Sequence, residues 1–249
     1  MNRRRFVLSA AGTLLATTSF ATPRPRIAII IDDLGYQFSA GRRALELPGP
    51  VAYSVLPKTP YGRRLAQLAN AAGREVLLHL PLEAANLEGS PDPGSIMLDM
   101  SRGALRATFA SAIETVPFAI GVSSHRGSLL TRHPGHMAWL MEEIREREDL
   151  FFIDSYTTHE SVALQVAREE GVAATRRDVF LDHERTVEAV GRELERLKRK
   201  ARVQGHAVAI GHPFAETLEV LERELPQLEE QGFELVTISE LIAAERNRI

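Results

Sequence analysis

The run Ile27-Ala28-Ile29-Ile30-Ile31, followed at once by Asp32 and Asp33, constrains the chain more than any other stretch. Five consecutive apolar residues, four of them β-branched, have the length and composition of a strand covered on both faces, as in a parallel sheet. Two carboxylates stand where it ends. In sheets wrapped by helices the carboxyl ends of the strands form the functional rim, so Asp32 and Asp33 are expected where ligands bind. An ordinary acidic strand-to-helix loop could carry the same pair, so the weight rests on whether other strands end alike.

Apolar runs recur at 51–56, 75–80, 119–122, 150–153, 207–210 and 234–237, with a weaker one between 172 and 182. Between them lie amphipathic stripes. Val187, Val190, Leu194, Leu197 and Ala201 fall at steps of three and four, as do Leu218, Leu221, Leu225 and Leu228. Leu105, Phe109 and Ile113 form an earlier stripe, and Met137, Leu140, Met141 and Ile144 another. Alternation without a long interruption predicts one α/β domain. The stretch 83–100 is dense in turn formers and follows the third strand directly; a loop of that length on the rim is expected to shape a cleft.

The N-terminus reads differently. Arg3-Arg4-Arg5 precedes an apolar stretch over 6–21 that is too short and too rich in Ser and Thr for a membrane span. Residues 1–21 are expected to be an export signal cleaved after Ala21, leaving a single domain over 22–249 in the periplasm or outside the cell with no stable membrane insertion. Arg3-Arg4-Arg5-Phe6-Val7 resembles a twin-arginine leader, with a general secretory signal as the alternative. Without the leader, 27 basic side chains face 33 acidic ones, a formal charge of −6. Nothing in that balance suggests nucleic acid as a partner, and composition specifies no oligomeric state. With no cysteine in the chain, any metal must be held by histidine and carboxylate.

Strand ends repeat one pattern, an apolar run that stops at a residue able to bind a ligand. The third strand gives His79, the fourth His125, the fifth Asp154 and the seventh His212. One carboxylate and two imidazoles form a ligand set suited to a divalent transition metal such as Zn²⁺, which acidifies water and polarises a carbonyl. A lone histidine in a strand is more often a satisfied polar residue, so coincidence at one rim carries the reading. His133, His136, His159, His183 and His206 lie in polar or charged stretches and are left out of the expected site.

Ile-Asp-Asp-Leu-Gly at 31–35, Ser-Val-Leu-Pro-Lys-Thr-Pro-Tyr at 54–61, His-Leu-Pro-Leu-Glu at 79–83, His-Arg-Gly-Ser at 125–128, Phe-Phe-Ile-Asp-Ser at 151–155, Arg-Asp-Val-Phe-Leu-Asp at 177–182 and Ile-Gly-His-Pro at 210–213 resemble the divergent polysaccharide deacetylase family. The resemblance implies a single distorted (β/α) barrel of about seven to eight parallel strands. It also implies metal-dependent removal of an acyl group, usually N-acetyl, from a carbohydrate substrate. Carried over by position, Asp33, His79 and His125 are the implied metal ligands and Asp32 the general base. His212 is the implied general acid, with Asp154 as an orienter or extra acid. The chain differs from the family pattern at Leu82, Ser123, Ser124, Arg126, Tyr156 and His183. Two other functions remain open on sequence grounds: a catalytically weak barrel that binds glycan or an envelope partner, and a glycosidase. Adjacent Asp32 and Asp33 cannot flank a glycosidic bond, which disfavours the last.

Overall fold

The computed structural model describes residues 24–86, 89–147 and 150–246. The expected signal over 1–21 lies outside the described residues, as do 87 and 88 of the long loop. The described residues form nine strands and eight α-helices, alternating except where β7 follows β6 directly: β1 (Arg26–Leu34), α1 (Phe38–Leu45), β2 (Ala52–Val55), α2 (Gly62–Ala71), β3 (Val76–Leu82), α3 (Arg102–Ile113), β4 (Ala119–Arg126), α4 (Pro134–Arg145), β5 (Phe151–Asp154), α5 (Ala163–Glu169), β6 (Ala174–Arg176), β7 (Val179–Phe180), α6 (Val187–Gln204), β8 (His206–Gly211), α7 (Ala215–Glu224), β9 (Glu234–Leu235) and α8 (Ile238–Arg246).

All pairings are parallel, in the order β6-β5-β4-β3-β2-β1-β8-β7. β6 and β7 are the two ends of that order, yet only Arg177 and Asp178 separate them in the chain. The sheet must therefore curl until its edges approach, giving a distorted barrel left open at the β6/β7 seam. The weak run at 172–182, read as one strand, is two. Asp178 N–H bonds the Val208 carbonyl at 2.9 Å while Arg177 N–H bonds that of Asp154 at 3.0 Å, so the chain changes sides between them. β9 pairs with Arg26 and Ile27, the part of β1 that β2, starting opposite Ile30, leaves uncovered.

Strand alternation sorts the core into two sets. Ile27, Ile29, Ile31, Leu78, Val122 and Phe152 face the helices, where the stripes of α3, α4, α6 and α7 cover them. Ala28, Ile30, Leu77, Ile153, Val208 and Ile210 face the interior, closed at one end by Ile238, Leu241 and Ile242 of α8. Inside, a Cβ on Gly121 would stand 2.4 Å from the Phe151 ring, so glycine is what lets that ring fill the space. The helix ends follow their sequence: Thr186 Oγ1 accepts the Ala189 N–H at the start of α6, and Gly205, at φ 83°, closes it.

Candidate metal centre

The interior set carries on past its apolar members into polar ones. Ala28 and Ile30 lead to Asp32, Leu77 leads to His79, Gly121 and Ser123 lead to His125, and Val208 and Ile210 lead to His212. Each of these side chains lines one cavity of ≈ 400 Å³ at the carboxyl ends of the strands. Asp33 has the wrong parity for this. It joins the others because the β1/β2 register slips between Ile31 and Leu34 and Asp33 adopts φ 60°, a bulge that turns its carboxylate inward.

Asp33 Oδ1 lies 3.1 Å from His79 Nε2 and 2.9 Å from His125 Nδ1, and the two nitrogens are 3.2 Å apart. Although Asp33 Oδ1 is buried, no hydrogen bond satisfies it. Donor atoms at about 2.0–2.2 Å from a first-row divalent ion stand about 3.3–3.6 Å from one another in a tetrahedron and about 2.8–3.1 Å for neighbours in an octahedron. The three atoms thus have the spacing of a ligand face, and the orphaned oxygen is the group a cation would satisfy. The residues present fit such an ion.

Electrostatics agree with the geometry. Burial would raise the Asp33 pKa, but His125 and His79 outweigh it and hold the carboxyl well below the usual range. Burial would likewise disfavour a charged His79, yet Asp32 and Asp33 raise its pKa above the ordinary imidazole value. Ser123 Oγ stands 2.8 Å from His79 Nδ1 and donates to Ser54 Oγ at 3.0 Å, so Nδ1 carries the proton given to Ser123 and Nε2 faces Asp33.

His212 approaches from the opposite side, with Nε2 3.6 Å from Asp33 Oδ2. Buried Asp182 fixes it: Oδ1 is 2.9 Å from His212 Nδ1, while Oδ2 accepts from the His212 backbone N–H at 2.6 Å and from Thr217 Oγ1 at 2.8 Å. Burial pulls the His212 pKa down, and Asp182 pushes it further up, leaving it raised. Asp32 is 2% exposed, with Oδ2 3.5 Å from His79 Nε2 and Oδ1 without a hydrogen-bond partner.

Asp154 is placed apart from this group. It shares the outward parity of Phe152, and its oxygens accept the Tyr156 N–H at 2.8 Å and the Ser161 hydroxyl at 2.7 Å, holding the loop that leaves β5. Burial raises its pKa. Other polar groups come to the site without having been singled out. Asp92, from the long loop after β3, lies 3.3 Å from His125 Nε2 and 3.0 Å from Arg126 Nε. Arg177 lines the cavity wall, and so does the exposed His183, which its charged surroundings in the sequence leave out of the expected site. Asp182 had a signal, since Val179-Phe180-Leu181 is an apolar run ending in a carboxylate like the others. Asp92 had none, because its loop has no periodicity.

The arrangement places the chain among α/β barrels that gather acid and imidazole groups at the carboxyl ends of their strands. A sequence profile of the divergent polysaccharide deacetylase family matches residues 29–242, and the chain belongs to that family. An uncharacterized protein of Haemophilus influenzae is 35% identical over 213 residues, spanning 86% of this chain and 75% of the relative. Among solved structures, the uncharacterized protein ATU2773 of Agrobacterium tumefaciens shares the fold at a TM-score of 0.84 and 24% identity, over 88% of this chain and 90% of its own. BA3943 of Bacillus anthracis, a CE4 family pseudoenzyme, shares it at 0.57 and 16% identity, over 89% of this chain and 66% of its own. The family and the barrel are those expected from the motifs, and no described helix is long and apolar enough to cross a membrane.

Proposed function

We propose that the protein is an exported, metal-dependent hydrolase that removes N-acetyl groups from an envelope or extracellular polysaccharide. The observation that carries this reading is the convergence of Asp33 Oδ1, His79 Nε2 and His125 Nδ1 within 3.2 Å of one another around an unsatisfied oxygen. Asp33, His79 and His125 would hold a divalent cation, with zinc the best match to one carboxylate and two imidazoles. When bound, it supplies Lewis acidity, which acidifies water and polarises an amide carbonyl.

The remaining roles follow from position. Asp32 has a free carboxylate oxygen next to the ligand face and takes the proton of the attacking water. Asp182 fixes His212 Nδ1, so Nε2 points across the site, and the raised pKa favours the protonated ring, whose Nε2 gives its proton to the departing amine. Asp154 positions the loop that forms one wall. Export is supported by the sequence of 1–21, with the mature protein starting at Thr22.

Purified protein loaded with zinc is expected to release acetate from an N-acetylglucosamine oligomer, to lose this on chelation and to regain it with zinc. His125→Ala is expected to lose both the metal and the acetate. Equal zinc content in wild type and His125→Ala, or a zinc-loaded wild type that releases no acetate, contradicts the proposal.

A further inference from the structure

A second cavity, of ≈ 520 Å³, adjoins the one at the candidate site, and Arg177, Phe180 and His183 line both. This second groove lies at the open β6/β7 seam, with one wall from α6. Its charge is unlike that of the molecule. Arg176, Arg177, Arg196 and Lys200 line it against only Asp178 and Glu193, whereas the chain as a whole is acidic. Those two acids are engaged: Glu193 pairs with Arg196 at 3.1 Å, and Asp178 accepts the Val208 N–H at 2.9 Å with Lys200 at 3.7 Å.

Arg176 is different. It is exposed, and its guanidinium lies 4.5 Å from the centre of the Tyr156 ring, with no carboxylate in ion-pair contact among the described residues. Tyr156 is itself held in a conformation that bulky residues avoid, at φ 51°. Two neighbours fix it: Asp154 takes its N–H, and Arg177 donates to the Ser155 and Tyr156 carbonyls at 2.6 and 2.8 Å. A strained aromatic anchored from two sides and carrying a free arginine on its face is a built platform rather than a loose surface pair.

We propose that this groove is a subsite for a negatively charged sugar residue, next along the chain from the unit at the metal centre. The proposal deepens the deacetylase reading and rests on its carbohydrate substrate. Tyr156, stacked with Arg176 at 4.5 Å, and Phe180, stacked with Arg177 at 4.9 Å, make a mixed aromatic and guanidinium surface against which a sugar ring can pack. Arg176, with Arg196 and Lys200 behind it, offers donors matched to a carboxylate or phosphate on that ring.

The test measures binding to metal-free protein, so nothing turns over. Calorimetry compares a neutral N-acetylglucosamine tetramer, an alternating tetramer with N-acetylmuramic acid whose lactyl carboxylates are free, and an N-acetylglucosamine tetramer bearing a 6-phosphate. At about 20 mM salt at least one acidic tetramer is expected to bind about tenfold more tightly than the neutral one, and the better of the two names the charged group. Arg176→Ala, and separately the pair Arg196→Ala with Lys200→Ala, are expected to bring that ratio to within about twofold, with a wild-type circular dichroism spectrum and a cooperative melt confirming a folded protein. A ratio near one in the wild type, no binding of any tetramer, or variants that keep the tenfold preference overturns the proposal. Because the preference is read without metal or turnover, its loss leaves deacetylation standing. Absence of acetate release with the preference intact overturns only the hydrolase reading.

Discussion

Ser123→Ala probes the proposed metal site without touching any of its three candidate ligands. The Ser123 hydroxyl is wholly buried, accepts a hydrogen bond from His79 Nδ1–H at 2.8 Å and donates one to Ser54 Oγ. Removing it frees the ring to rotate or change tautomer, and losing such a support costs about 10–100-fold in metal affinity. With free zinc at about 100 times the wild-type dissociation constant, linkage stabilises the wild type by about 2.7 kcal/mol. The variant at the same zinc concentration keeps about 0.4–1.4 kcal/mol. For a domain of this size each kcal/mol moves the Tm by about 2–4 °C, so the zinc-induced rise falls from about 5–11 °C to about 1–6 °C. The substitution also leaves Nδ1 without its partner, at about 1–3 kcal/mol in the metal-free protein, so the quantity to compare is each protein's own increment between the metal-free melt and the melt at that one zinc concentration. Scanning fluorimetry with competitive zinc titration reads both terms. An unchanged affinity and an unchanged increment refute the claim that Ser123 orients a ligand.

Three further outcomes are expected. Asp182→Asn removes the charge that raises the His212 pKa, so the alkaline limb of the rate profile moves to lower pH while zinc content stays at the wild-type level; an unmoved limb contradicts the acid role. Zinc affinity is expected to climb as pH rises through and above 6.5, because the raised His79 pKa keeps a competing proton on the ring at pH values where a free imidazole has lost it; titrations at several pH values showing no slope contradict this. Asp154→Ala deprives the Tyr156 N–H and the Ser161 hydroxyl of their acceptor and is expected to lower stability by about 1–3 kcal/mol with zinc stoichiometry kept, as denaturant melts and metal analysis together would show.

How much was legible beforehand depends on whether local pattern or long-range closure decides the point. The long apolar runs named the strands because burial on both faces admits few other residues, and the helix stripes named the covering layer. Counting parity along those same runs separates Asp32, His79, His125 and His212, in phase with interior residues, from Asp154, in phase with Phe152. Strand ends alone do not make that distinction. Asp33 breaks the count through a bulge, whose position depends on pairing with β2 and has no local cue beyond the Asp-Asp pair. The division of 172–182 into β6 and β7 was hidden for a related reason: two short pieces on opposite edges of a curled sheet are distinguished only by their partners. Asp92 reaches His125 across a turn-rich loop, where sequence spacing says nothing about distance.

The central claim is that Asp33, His79 and His125 grip one cation. Anomalous diffraction at the zinc edge from crystals grown with the metal tests it directly. The account predicts a single strong peak about 2.0–2.2 Å from Asp33 Oδ1, His79 Nε2 and His125 Nδ1. A peak bound elsewhere, or none between these three side chains in zinc-saturated crystals, contradicts it.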